Sequence, residues 1–156
     1  MQRRYEHVQN PERVLQEIIR CSKPNALVFL EFPSYYSLII GHHLYDYGLF
    51  GAQFMPKRFV KWFVRRKGST SRHSAEYMLH EFESLNKLTI SQFKKWIKKY
   101  NIEVIKERHH FKHPDYFDFN ISFIKHLPIL REIIPTGHYT LARINKTISE
   151  QTQHYR

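Results

Sequence analysis

The stretch from Glu6 to Pro33 constrains the fold more than any other, because it writes a helix, a break and a strand in close succession. Asn10 suits an N-cap, Pro11 suits the first helical position, and Glu12 sets a negative charge in the first turn. Val14, Leu15, Ile18 and Cys21 then recur on one face at helical spacing, which predicts Cys21 to be a buried, inert thiol. Ser22-Lys23-Pro24-Asn25 ends the helix: proline biases Lys23 away from helical backbone, and Asn25 tolerates a left-handed turn. Ala26 to Phe32 is a short, mostly apolar run, the size of a strand buried on both faces. An αβ unit joined this tightly predicts a parallel sheet covered by helices.

The same residues carry a family resemblance. Glu6-His7-Val8, Asn10-Pro11-Glu12, Val14-Leu15-Gln16-Glu17-Ile18 and Lys23-Pro24-Asn25 ahead of an apolar strand resemble class I S-adenosylmethionine-dependent methyltransferases, in the segment between the fourth and fifth strands. Asn25 stands where such enzymes usually have glycine, and either residue makes the turn. The resemblance begins near Tyr5, so the first four strands of that fold are not expected in this chain. It implies an α/β fold: the C-terminal half of a Rossmann-like methyltransferase sheet, with the fifth strand, the sixth strand, an antiparallel last strand and covering helices. Residues 1–146 are read as this partial domain and 147–156 as a polar tail.

Downstream of Pro33, Ser34 to Gly48 is rich in tyrosine and histidine and leaves the strand at its carboxyl end, where open α/β sheets bind ligands. Composition alone favours a surface loop packing its aromatics on the sheet. The resemblance adds weight at Gly41-His42-His43-Leu44-Tyr45-Asp46, which is similar to a Gly-Gly-His-Leu stretch in one branch of the family; His42 takes the place of the second glycine. Pro56 to Lys67 is a basic amphipathic helix, with Phe59, Trp62 and Phe63 as the expected inward stripe and Lys57, Arg58, Lys61, Arg65 and Arg66 around it. It reads as a lid helix with a solvated rim, the alternative being attachment to an anionic membrane surface.

Ser74 caps a helix to Leu85 that turns Tyr77, Met78, Phe82 and Leu85 inward. Thr89 and Gln92 form a capping box for the next helix, with Ile90, Phe93, Trp96 and Ile97 buried and Asn101 closing it. Ile102 to Arg108 follows as a strand, Phe117 to Ile134 as one helix or two short ones broken at Pro128, and His138 to Ile144 as a last strand. By the resemblance that strand lies antiparallel beside the sixth.

The chain holds 25 Lys and Arg against 14 Asp and Glu, a formal charge of +11, concentrated in 57–72 and 94–99. Such a balance admits nucleic acid or an anionic surface, but no nucleic-acid motif accompanies it. One cysteine excludes an internal disulfide and fits a reducing cytoplasm, the expected location; no apolar run reaches the length of a membrane span.

Donor binding in the family requires a glycine-rich turn after a strand and an acid for the ribose. The five glycines here make no such turn, so the chain alone is not expected to bind S-adenosylmethionine. What the resemblance leaves is the acceptor side: Glu6 and His7 match a Glu-His pair near the transferred methyl, with His7 as the base, and Tyr35, Tyr36, His43, Tyr45 and Asp46 as acceptor-pocket residues. The plainer reading of His7 is packing at a helix entrance. His42-His43 and His109, His110 and His113 invite a metal, yet no cysteine or acid shows matching spacing, and they are read as solvated histidines rather than ligands.

Two functions follow. The first is a truncated or split methyltransferase acting on a small or lipid-like acceptor, inactive until a separate N-terminal half or a homo-oligomer completes it. The second is a non-catalytic basic module that binds a protein partner, an anionic membrane surface or nucleic acid.

Overall fold

Asn10 accepts a hydrogen bond from the Arg13 amide at 2.9 Å, and with Pro11 behind it starts helix α1 (Pro11–Cys21) where the sequence places it. These are features of a computed structural model that describes residues 5–38, 44–71, 73–113 and 117–145. The chain leaves α1 through Asn25 at a φ of 60°, the left-handed turn foreseen there, and enters strand β1 (Leu27–Phe32).

β1, β2 (Ile102–His113), β3 (Phe117–Asn120) and β4 (Gly137–Ile144) form one sheet in the order β1-β4-β2-β3, every neighbouring pair antiparallel. The expected parallel neighbours are thus replaced by antiparallel ones. Because β1 and β2 both oppose β4, they point the same way across it. The molecule is mixed α/β, and its last strand does lie antiparallel beside β2.

One face of the sheet is covered. Leu30 and Phe32 from β1, Ile102 from β2, and Ala142 and Ile144 from β4 meet Leu15 of α1 and Ile90, Phe93 and Ile97 of α4 (Ile90–Lys99) in a single core. On the other face Leu27 and Phe29 remain 61% and 60% exposed. The expectation that β1 is buried on both sides is therefore corrected: its alternation is that of a half-covered antiparallel strand. Cys21 is corrected as well. It is exposed, because α1 ends there beside an open groove of about 560 Å³ shared with Val8, Val14 and Ile18.

A bulge in β2 decides which side chains enter the core. Val104 opposes Ala142 and Lys106 opposes Leu141, so Ile105 is an extra residue without a partner of its own. One inserted residue reverses the facing of all that follow. Ile102 and Val104 share a side with Glu107 and His109, while Lys106 and Arg108 are turned away. β2 also runs past Arg108 to His113, and Phe117–Asn120 is a strand, not the start of a helix. The apolar-polar alternation Phe117-Asp118-Phe119-Asn120 has the period of a strand. A 3₁₀ turn (Ser122–His126) and the short α5 (Leu130–Ile133) follow.

A second core is built by residues 44–85 alone. Val60 and Val64 of α2 (Lys57–Lys67) and Met78, Leu79 and Phe82 of α3 (Ala75–Ser84) close on Leu44, Tyr47, Leu49 and Ala52. This overturns the inward stripe expected on α2. Phe63 is half-buried, but Phe59 and Trp62 are 43% and 55% exposed. With the valines inward, Lys61 reaches Glu83 at 2.5 Å and Arg65 reaches Glu76 at 3.0 Å, pairings that the aromatic stripe would have turned aside. Tyr77, also expected inside, is exposed for the same reason of helix rotation.

The capping box of α4 is present in both directions between Thr89 and Gln92. A buried carboxylate adds to it. Glu132 of α5 accepts from the Ile90 amide (2.9 Å), the Ser91 amide and hydroxyl (both 2.6 Å) and the Ser34 hydroxyl (2.6 Å). A negative charge on the first amides of a helix is favourable, and these donors compensate its burial.

Candidate functional site

The 3₁₀ turn Tyr5–His7 is held by Asn86, whose side-chain amide donates to the carbonyls of Tyr5 (2.8 Å) and Val8 (3.0 Å). It brings His7 to α3. His7 Nδ1 lies 2.9 Å from Ser84 Oγ, and Nε2 lies 3.3 Å from Glu81 Oε2. The Ser84 hydroxyl donates to the Glu81 carbonyl at 2.9 Å, which leaves its oxygen to receive a hydrogen from His7 Nδ1. A serine, a histidine and an acid do meet here, but the serine proton is directed away from the imidazole. That is not the arrangement of an activated nucleophile.

The loop after β1 is stitched down rather than draped. The Tyr35 amide donates to Leu88 (2.9 Å), the Leu38 amide to Ile133 (3.0 Å), and Gln53 reaches the Ser37 carbonyl (3.2 Å). Tyr35 and Tyr36 meet edge to face at 5.3 Å, and Tyr36 stacks on Phe54 at 5.6 Å. Burial, then the neighbouring Tyr36, push the Tyr35 hydroxyl above its ordinary value. Asp46 is half-buried in the 3₁₀ turn Tyr45–Tyr47. His42 and His43, and the side chains of Glu6 and Tyr45, lie outside the described residues. The proposed base therefore sits against α3, and the two tyrosines sit against Leu88 and Phe54.

A different constellation, missed in the sequence, lies inside the sheet. His109 of β2 and His138 of β4 are directly opposed, both fully buried, with their Nδ1 atoms 3.3 Å apart. Glu107 is two residues from His109 on the same face, its Oε1 3.4 Å from His109 Nε2 and 3.8 Å from His138 Nδ1. Lys94 of α4 supplies an ammonium 2.8 Å from that oxygen, and Thr140 Oγ1 lies 2.9 Å from His138 Nε2. Phe32 and Phe93 close over the His138 ring at 5.2 and 5.9 Å.

The electrostatics follow from this enclosure. Burial, then the adjacent His109, hold His138 down at about 3, so its ring is neutral. Burial alone would push Glu107 up, but hydrogen bonding from His109 and Lys94 outweighs it and holds the carboxyl at about 2. His109 is therefore not the solvated histidine expected. The signal was the spacing of two in Glu107/His109 and in His138/Thr140; the Ile105 bulge concealed which face they share. Glu107, His109 and His138 offer three ligand atoms within 4.8 Å of one another. The carboxylate oxygen a metal would take already has the Lys94 ammonium beside it, so the cluster carries its own cation.

The described glycines lie away from the carboxyl ends of the strands. Gly48, Gly51 and Gly68 have left-handed φ values of 69°, 69° and 78°, but they flank the 3₁₀ turns and the end of α2, and none follows a strand. Gly137 opens β4, and Gly41 lies outside the described residues. Compared with protein-family models, with curated proteins and with solved structures, the chain matches none. Among the described residues no helix is long and apolar enough to cross a membrane.

Proposed function

We propose that the chain is the acceptor-side half of a class I S-adenosylmethionine-dependent methyltransferase, completed by a donor-binding half on another segment or chain. The observation that carries this reading is β1. Among the described residues it is paired on one side, by β4, and its outer face presents the exposed apolar Leu27 and Phe29 with a single charge, Glu31. Such a strand fits one made to receive a further strand. The α1–Asn25–β1 unit, on which the family resemblance rests, and the antiparallel β4 beside β2 give the reading further support.

In this role the chain binds and orients a small or lipid-like acceptor and takes its proton. His7 is the base: its Nδ1 donates to Ser84, so it takes the proton at Nε2, where the acceptor replaces Glu81. The Nδ1–H donated to Ser84 would then hold the imidazolium in place. Tyr35, Tyr36, His43, Tyr45 and Asp46 form the acceptor side.

The test is a fusion of a glycine-rich donor half ahead of Tyr5. The chain alone should give no saturable heat with S-adenosylmethionine, and the fusion should bind it one to one. Replacing His7 by alanine in the fusion should cost on the order of a hundredfold in turnover with donor affinity unchanged. Saturable donor binding by the chain alone, or a His7→Ala fusion with unaltered turnover, would overturn the assignment. The second reading, a basic binding module without catalysis, draws on the exposed aromatics of α2 and survives if the folded fusion binds no donor.

A further inference from the structure

Helix α2 reads Lys57-Arg58-Phe59-Val60-Lys61-Trp62-Phe63-Val64-Arg65-Arg66-Lys67, six cations and no acid in eleven residues. Two of those cations, Lys61 and Arg65, are answered by Glu83 and Glu76 of α3. The valines are committed to the core, so the helix cannot rotate to hide its rings. Phe59 and Trp62 lie with their ring centres 5.9 Å apart on the outer side, and the Arg66 guanidinium stands 5.8 Å from the indole. Arg58, Lys61, Trp62, Arg65 and Arg66 together line an open groove of about 630 Å³. An exposed phenylalanine and tryptophan side by side are an unfavourable surface in water, and ringing them with cations makes burial against an apolar protein face costly.

We propose that α2 is a docking surface for an anionic phospholipid bilayer. Phe59 and Trp62 enter the interfacial layer, and the groove between Arg58, Lys61, Arg65 and Arg66 receives lipid phosphates. A bilayer offers anionic groups in one plane and an apolar layer just beneath, which is the order in which α2 presents cations and rings. Tryptophan suits that boundary because its ring is apolar and its N–H is polar. Nucleic acid would meet the cations equally well, but it provides no apolar layer for Phe59. The inference does not depend on methyl transfer, since it uses only the outer side of α2.

The experiment is co-sedimentation of the whole chain with phosphatidylcholine vesicles, with and without phosphatidylglycerol, read beside tryptophan emission. A Trp96→Phe background leaves Trp62 as the only indole. Binding should require phosphatidylglycerol and weaken as salt rises, and Trp62 emission should shift to the blue and be quenched by brominated acyl chains. Phe59→Ala/Trp62→Ala and Arg58→Glu/Arg66→Glu should each weaken binding by more than about tenfold. All four side chains are exposed, so melting temperature should hold in both variants. Equal binding to neutral vesicles, Trp62 unquenched by brominated lipid, or tighter association with an oligonucleotide than with anionic vesicles would each overturn the proposal.

Discussion

His138 is a neutral imidazole walled in by Phe32 and Phe93, and this gives the fold a defined response to acid. Its ordinary value is 6.5 and its folded value about 3, so between those limits the unfolded chain holds more protons than the folded one. Stability must therefore fall as pH falls through that window, by at most about 1.4 kcal/mol per pH unit for this group. Glu107, lowered from 4.5 to about 2, adds a loss of the same sign only below pH 4.5. Lys94, Arg131 and His109 are the other charged or titratable groups acting on the ring. Urea denaturation between pH 6.5 and 4.5 should show this slope, and His138→Phe should flatten it there; an unchanged slope would mean that the ring is protonated in the fold. Glu132 is the second sensitive residue. Glutamine cannot accept with its nitrogen, so Glu132→Gln leaves buried donors among Ser34, Ile90 and Ser91 unmet and should cost about 2–3 kcal/mol in chemical denaturation. The left-handed Asn25 and Asn101 were legible from sequence because asparagine tolerates that backbone. Lys87, at a φ of 58°, was not, because lysine carries no such signal.

Among elements, those with local punctuation were legible and those rotated by distant partners were not. α1, α4 and β4 carry a cap, a capping box or a clean alternation within their own residues. The facing of α2 depended on Val60 and Val64 packing against α3 and residues 44–52, and the inward facing of Glu107 and His109 depended on one extra residue in β2. The candidate acceptor residues were legible only as a resemblance, and the histidine pair only once the bulge was known. That bulge makes a sharp prediction. Deleting Ile105 would make Val104 and Lys106 consecutive opposite Ala142 and Leu141, so Glu107 and His109 would keep facing inward and the cooperative urea transition should survive. Inserting one alanine after Lys106 would instead turn Arg108 inward and Glu107 and His109 outward, and the transition should disappear. Ile105→Ala keeps the extra residue at a half-exposed position and should change stability by less than about 1 kcal/mol. Equal effects of the deletion and the insertion would show that the register after the bulge does not set the facing.

For the whole molecule, the open side of β1 and the uncovered sheet face set the behaviour in solution. Leu27 and Phe29 stand there beside Tyr139, on which Phe29 stacks at 6.0 Å. The net charge of +11 opposes association, but a flat apolar edge recruits a second strand through backbone hydrogen bonds that charge elsewhere does not block. Sedimentation velocity should reveal concentration-dependent oligomers, and Leu27→Lys/Phe29→Lys should return the protein to a monomer without loss of helix content. A wild-type chain that stays monomeric throughout would remove the main support for a missing neighbouring strand.

β4 is an inner strand of the sheet and also the last of its strands to be synthesised, and this orders events on the ribosome. β1 emerges early, yet its partner among the described strands arrives after every other described element has been made. Residues 44–85 can close their own core while β1 is still waiting. The nascent chain therefore carries an unpaired apolar strand for most of its synthesis, a period in which a chaperone or a neighbouring chain has first access to Leu27 and Phe29. A chain stalled just before Gly137 would present two parallel strands with the gap between them unfilled.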